Sequence, residues 1–175
     1  MVTGGLGIIG QRFCLGLARQ GAVVAIADMP DPTGEARAAA LVQQVGGRIE
    51  FFPCDVASPD SVRAMVGDVV ARLGGIDILL NNAATKTDDL AAFMAPFEEY
   101  TLEEWRKVMA VNLDGMFLVA QAVGKQMIKQ GRGGSIVQTA SIYGSLAPDM
   151  RIYEGSFYMG LEISSPAVYG ASKAG

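Results

Sequence analysis

The sequence predicts an α/β fold, a doubly wound parallel sheet in a single domain spanning residues 1–175, and three observations carry that reading. Short apolar runs alternate with longer amphipathic ones along the chain. A glycine-rich turn between Thr3 and Gly10 opens the first amphipathic run. An acidic residue, Asp28, ends the next apolar run. Strand and helix alternating at this spacing argue for βαβ units and a parallel sheet.

Each element has its own signal. Residues 10–20 read as a helix that ends at Gly21. Residues 22–27 form a continuous apolar run, as a strand buried on both faces would. Residues 33–45 form an alanine-rich helix stopped by Gly46 and Gly47. Residues 48–53 are the next strand. Ser58 and Pro59 offer an N-cap followed by proline at the first helical position. Val62, Met65, Val66, Val69, Val70 and Leu73 follow at helical spacing, and Gly74 and Gly75 close that helix. Residues 76–80 are another buried strand. Thr101 and Glu104 match a capping box, and the helix they open runs from Leu102 to near Gln130. After a turn at 131–134, residues 135–139 are a strand, and Ser165-Pro166 reads as N-cap and first residue of a last helix.

Composition narrows the function. Half of the 175 residues are hydrophobic, enough for a buried core. The net charge of −4, with no Lys/Arg cluster, argues against a nucleic-acid or anionic-membrane partner. The apolar runs are strand-length, and the first residues do not resemble a signal peptide. Cys14 and Cys54 read as buried thiols in a reducing, cytoplasmic setting. There is no histidine and no cysteine pair at metal-ligand spacing, which removes Ser-His-Asp hydrolysis and the usual zinc sites.

The turn Thr3-Gly4-Gly5-Leu6-Gly7-Ile8-Ile9-Gly10 suits a pyrophosphate. Glycines permit a tight turn and close approach of backbone N–H groups, and the helix that follows adds partial positive charge. Asp28 lies eighteen residues beyond Gly10. There it can accept hydrogen bonds from adenine-ribose hydroxyls and repel a 2′-phosphate, which favours NAD(H) over NADP(H) on a Rossmann-type sheet. Further on, Tyr169 and Lys173 stand four apart on a helix and share a face. An unperturbed phenol, with a pKa of about 10, is a poor acid/base at neutral pH, and a nearby cation favours its ionised form. Ser141, at a strand end, can donate to a substrate carbonyl oxygen.

Taken in order, these residues resemble the classical short-chain dehydrogenase/reductase family over the whole chain. The loop from Thr3 to Gly10 is similar to the family's coenzyme loop, although Gly7 has the spacing of its extended branch. Cys54-Asp55-Val56 is similar to the segment beside the adenine. Asn81-Asn82-Ala83-Ala84 resembles the family's Asn-Asn-Ala-Gly, with Ala84 making the turn tighter. Val111-Asn112 resembles the segment whose asparagine holds a water in the proton relay, and Ser141, Tyr169 and Lys173 fill the serine, tyrosine and lysine positions. The resemblance implies Tyr169 as acid/base and Lys173 as a further ligand of the nicotinamide ribose. Plainer readings stay open. Asn112 could kink a long helix, Asn81 and Asn82 could serve the sheet, and Ser141 could satisfy a strand end.

Twenty-eight residues separate Ser141 from Tyr169, more than the family usually allows. The extra segment, about 147–165, carries Asp149, Arg151, Tyr153, Glu154, Tyr158 and Glu162, which suits a polar, sugar-like substrate or a simple surface flap. Ser141-Ile142-Tyr143-Gly144 with Ile152-Tyr153-Glu154-Gly155 is similar to a subgroup linked to flagellin or surface-polysaccharide sugar modification. The expected activity is NAD(H)-dependent interconversion of a secondary alcohol and a ketone on a small molecule. The alternatives are a nucleotide-sugar epimerase or dehydratase of the extended branch, and a non-catalytic coenzyme-binding fragment. Only Met1 and Val2 precede the glycine loop, so the expectation is a fragment of a longer, homodimeric or homotetrameric parent, lacking most of its central strand and its C-terminal substrate region. Weak turnover or none is expected of such a chain.

Overall fold

The computed structural model describes residues 1–175. They divide into two compact units, one comprising Met1–Ala83 with Gly115–Thr139, the other Ala84–Asp114 with Ala140–Gly175.

The first unit is a five-stranded parallel sheet flanked by helices. Its strands are β1 (Val2–Thr3), β2 (Val24–Asp28), β3 (Ile49–Pro53), β4 (Ile78–Asn81) and β5 (Ser135–Gln138), in the spatial order β3-β2-β1-β4-β5. Its helices are α1 (Ile8–Arg19), α2 (Gly34–Val45), α3 (Pro59–Leu73) and, later in the chain, α6 (Met116–Gln130). The order reverses at β1, the switch point beyond whose strand tips open α/β sheets bind ligands.

The middle position is held by the two residues of β1, beside longer strands on either side. Val2 pairs with Ile26 on one side and Leu80 on the other, and Val2 and Thr3 are fully buried. The Leu80 amide donates to the Met1 carbonyl at 2.9 Å, and the Met1 nitrogen donates to the Ile78 carbonyl at 2.7 Å. β1 is bonded on both edges, as a central parallel strand is. The β2 run Val24–Ala27 is buried throughout, as its unbroken apolar sequence requires. The edge strand β5 is instead exposed along its length. Helix α3 begins as read, with the Ser61 amide donating to the Ser58 hydroxyl at 3.3 Å and Pro59 at the first position, and it ends at Gly74 with φ 84°. Cys14 and Cys54 are buried, and burial pushes the Cys14 thiol up to about 12, so it packs as an inert hydrophobe.

The second unit contains α4 (Leu90–Phe93), α5 (Leu102–Met109), a short antiparallel hairpin of β6 (Phe157–Tyr158) and β7 (Leu161–Glu162), and α7 (Ala167–Ala174). Phe93, Val108 and Val168 form its buried cluster. The helix expected over 102–130 forms over that span, with Ala110–Gly115 wound as a wider π turn inside it. Half of the capping box forms. The Glu104 amide donates to the Thr101 hydroxyl at 3.2 Å, but the Glu104 carboxylate turns to the Lys107 ammonium at 2.8 Å instead of back to the cap. Helix α7 starts one residue later than read, since Pro166 is still extended (ψ 137°) and Ser165 caps nothing. The long segment before it folds into single 3₁₀ turns and the β6–β7 hairpin. No helix is long and apolar enough to cross a membrane.

Candidate coenzyme and catalytic site

The glycine turn closes on itself through short-range contacts. The Gly4 amide donates to the Ala27 carbonyl at 2.8 Å and the Gly7 amide to the Gly4 carbonyl at 3.1 Å. Gly4 has φ +62°, and a side chain there would press on the Ala83 backbone. A Cβ on Gly10 would overlap the Gly4 carbonyl oxygen, and one on Gly5 would meet Ile26. These are positions where only glycine fits. Gly7 is the N-cap of α1 and no side chain caps the helix. The first-turn amides of Ile8, Ile9 and Gly10 therefore point outward with no helical acceptor, which is the donor set a pyrophosphate needs. Ile8 and Ile9 are exposed at the mouth of this turn. The first-turn donors at the uncapped start of α1 fit the pyrophosphate of a dinucleotide.

Asp28 ends β2 beside the turn. Its Oδ2 accepts from the Leu6 amide at 2.8 Å and its Oδ1 from the Met29 amide at 2.8 Å. Each oxygen keeps lone-pair capacity for a ribose hydroxyl. Asp55 is half-buried, with Oδ1 accepting from the Ala57 amide at 2.9 Å. Val56 is buried against Gly115, so its side chain serves packing.

Three of the sequence-selected residues hold the site without facing it. Thr3 is fully buried, and its hydroxyl accepts from the amides of Asn82 at 2.8 Å and Ala83 at 3.0 Å while donating to Asn81 Oδ1 at 3.1 Å. Asn81 donates to the Met116 carbonyl at 2.8 Å, and Asn82 Nδ2 to the Thr3 carbonyl at 3.2 Å. Both asparagine side chains are thus spent on tying β1 to β4. Ala84, two residues on from Asn82, is exposed and belongs to the second unit.

The catalytic candidates are assembled within the second unit. Tyr169 and Lys173 are half-buried one turn apart on α7. Burial pulls the Lys173 ammonium below the ordinary lysine value. Ser141 caps the 3₁₀ turn Ile142–Gly144, its Oγ accepting from the Tyr143 amide at 3.2 Å. That turn lies directly on α7. A Cβ on Gly144 would overlap the Lys173 carbonyl oxygen, and one on Gly170 would come within 3.0 Å of the Tyr143 carbonyl oxygen. Two glycines on facing elements therefore set how close Ser141 comes to the helix bearing Tyr169 and Lys173.

Asn112 lies in the π turn and is fully buried. Its Oδ1 accepts from the Thr85 amide at 2.8 Å, and its Nδ2 donates to the Ser172 hydroxyl at 3.3 Å. Both the oxygen and the nitrogen of its side-chain amide bond to protein groups. Sequence reasoning missed Ser172, which is buried and donates to the Tyr169 carbonyl at 2.9 Å, and so ties Asn112 to α7. Its position three residues after Tyr169, one turn on along the same helix, is the signal that could have found it.

Comparison with known proteins bears on this arrangement. D-threitol dehydrogenase of Mycolicibacterium smegmatis is 40% identical over 152 residues, covering 87% of this chain and 55% of that protein. The solved structure of NAD+-bound xylitol dehydrogenase matches with a TM-score of 0.80 at 34% identity, over 99% of this chain and 58% of that one. NADPH-dependent 3-quinuclidinone reductase from Rhodotorula rubra matches with a TM-score of 0.78 at 27% identity, over 99% and 58%. The chain spans little more than half the length of each of these proteins. The family model of the short chain dehydrogenases matches residues 1–175, and the chain belongs to that family.

Proposed function

We propose that the chain carries the coenzyme-binding and catalytic core of an NAD(H)-dependent oxidoreductase that interconverts a secondary alcohol and a ketone on a polyol or sugar-like substrate. The observation that supports this reading is the close approach, at Gly144 and Gly170, of the 3₁₀ turn that begins at Ser141 to α7, which bears Tyr169 and Lys173. The coenzyme, held by the uncapped start of α1 and by Asp28, supplies the hydride acceptor or donor. Tyr169 takes the hydroxyl proton in oxidation and returns it in reduction. Lys173 provides positive charge on the same helical face, and Ser141 donates to the substrate oxygen. Asn112 and Ser172 act as positioning residues for the 84–89 loop and α7. The names of the relatives, a threitol and a xylitol dehydrogenase, support an open-chain polyol as substrate.

The test is a panel of polyols and sugars with NAD, read as NADH formation, for the native protein and for Tyr169→Phe. Turnover by the native protein, lost in the variant while NADH affinity stays within about twofold, supports the reading. A variant that keeps its rate overturns the assignment of Tyr169. The Gly7 spacing favours a second reading, an epimerase or dehydratase of the extended branch. Substrate conversion without net NADH formation would select it.

A further inference from the structure

Tyr143 and Tyr153 take no part in the chemistry proposed above, yet their hydroxyls lie 2.6 Å apart, and both residues are half-buried. Tyr143 stands two residues after Ser141 and is held at three points. Its amide donates to Ser141 Oγ at 3.2 Å. Its carbonyl oxygen rests on α7, where a Cβ on Gly170 would come within 3.0 Å of it. Its hydroxyl meets that of Tyr153. The first of these contacts bears on Ser141. An Oγ that accepts from a backbone amide is fixed in place and keeps its own O–H for another acceptor. A shift of the Tyr143 backbone therefore shifts the Ser141 hydroxyl with it.

Tyr153 belongs to a different piece of chain. It ends the 3₁₀ turn Met150–Tyr153, which Asp149 caps by accepting from the Arg151 amide at 3.1 Å. Its carbonyl accepts from the Ser156 amide at 2.9 Å, and the Ser156 carbonyl accepts from the Ile163 amide at 3.0 Å, which joins Tyr153 to the base of the β6–β7 hairpin. The hairpin is fastened in turn. Lys86 lies 4.8 Å from the Tyr158 ring centroid and donates to its hydroxyl at 3.4 Å, and the Ser164 hydroxyl donates to the Met94 carbonyl at 3.0 Å. The segment from Asp149 to Ser164 is thus a strap tied at both ends. The hydrogen bond with Tyr143, and then burial, raises the Tyr153 pKa, so this phenol stays a neutral hydroxyl and the link persists through neutral pH. We propose, resting on the oxidoreductase reading above, that Tyr153 is a positioning residue for Ser141. The strap fixes Tyr143 through the paired hydroxyls, and Tyr143 fixes the serine hydroxyl that donates to the substrate oxygen.

The test is steady-state kinetics of the native protein, Tyr153→Phe, Tyr143→Phe, the double variant and Ser164→Ala, with the fastest substrate of the polyol and sugar panel above. Phenylalanine removes one oxygen and keeps the ring. Each single phenylalanine variant is expected to lower kcat about tenfold, with KM and NADH affinity held within about twofold, because a misplaced donor costs rate more than binding. Both remove the same bond, so the double variant should be no slower than either. Ser164→Ala loosens the strap at its other end and should keep kcat within about twofold. Native kcat in Tyr153→Phe overturns the proposal. So does a double variant whose losses multiply, or a Ser164→Ala variant as slow as Tyr153→Phe. Amide hydrogen exchange over residues 141–146 reads the same link without turnover. Tyr153→Phe should speed it, and unchanged exchange overturns the proposal. A native protein that turns over nothing in the panel removes the oxidoreductase reading, and the exchange measurement still decides whether Tyr153 holds the serine turn.

Discussion

Gly144 lies so close to the Lys173 carbonyl oxygen that a Cβ at this position would overlap it. The 3₁₀ turn that begins at Ser141 can reach α7 only because this residue has no side chain. The neighbouring atom is backbone within a helix, so it cannot swing aside. Gly144→Ala should therefore part the turn from the helix instead of being absorbed locally. The expected cost is about 1–3 kcal/mol of stability from overpacking. Displacing Ser141 from Tyr169 by even about 1 Å is expected to lower kcat on the order of a hundredfold. Thermal melting and steady-state kinetics check both, and NADH affinity should change little. A variant with native kcat would show that the contact is not what positions Ser141.

Thr3 makes a parallel case in the first unit. Its hydroxyl accepts from two backbone amides, those of Asn82 and Ala83, while its own exposure is zero. Thr3→Val keeps the shape and removes the acceptor, leaving two N–H groups without a partner. The expected loss is about 1–3 kcal/mol of stability. NADH affinity should also fall, because Ala83 packs against Gly4 of the phosphate turn. Thr3→Ser retains the acceptor and should restore most of both. Failure of serine to outperform valine would assign the role of Thr3 to packing alone.

Local signals made much of this legible in the sequence. The β2 run and the α3 boundaries rest on unbroken apolar residues, on Ser58-Pro59 and on Gly74, and neighbours in sequence decide such features. The Tyr169–Lys173 pair is likewise a matter of helical spacing. What escaped depends on contacts between distant parts of the chain. The π turn at Ala110–Gly115 widens a helix whose sequence shows no proline or glycine before Gly115, and Asn112 within it bonds to Thr85 and to Ser172, which lies sixty residues further on. Thr3 and Asn82 look like coenzyme ligands in the linear motif, but the register of β1 against β4 turns them on each other.

Lys173 gives a pH signature. Burial lowers its pKa from the usual 10.5, so the folded state releases the proton before the unfolded state does. The unfolded chain therefore binds more protons across the interval between the lowered value and 10.5, and stability contributed by this group rises with pH through that interval. Below the lowered value the penalty of holding the ammonium is fully present. Lys173→Met should remove that rise while abolishing turnover. Denaturant unfolding of both proteins across the alkaline range tests this. Parallel stability curves would show that the ammonium is fully compensated in the fold.

Tyr100 gives a prediction of the opposite sign from most substitutions. Its hydroxyl is shielded from solvent with no hydrogen-bond partner, and so is Glu104 Oε2. Burial, and then the Glu104 charge, raises the Tyr100 pKa, so the group stays a neutral, unbonded hydroxyl. A polar atom in this state costs the desolvation of its hydroxyl and returns nothing. Tyr100→Phe keeps the ring and removes the orphaned oxygen. It is expected to raise stability by about 1 kcal/mol, a small increase in Tm with unchanged NADH affinity. The Phe93, Val108 and Val168 cluster that Tyr100 packs against should be undisturbed. A fall in Tm would mean that the hydroxyl is bonded in solution, with a buried water as its partner, and Glu104→Gln should then shift stability in step with it.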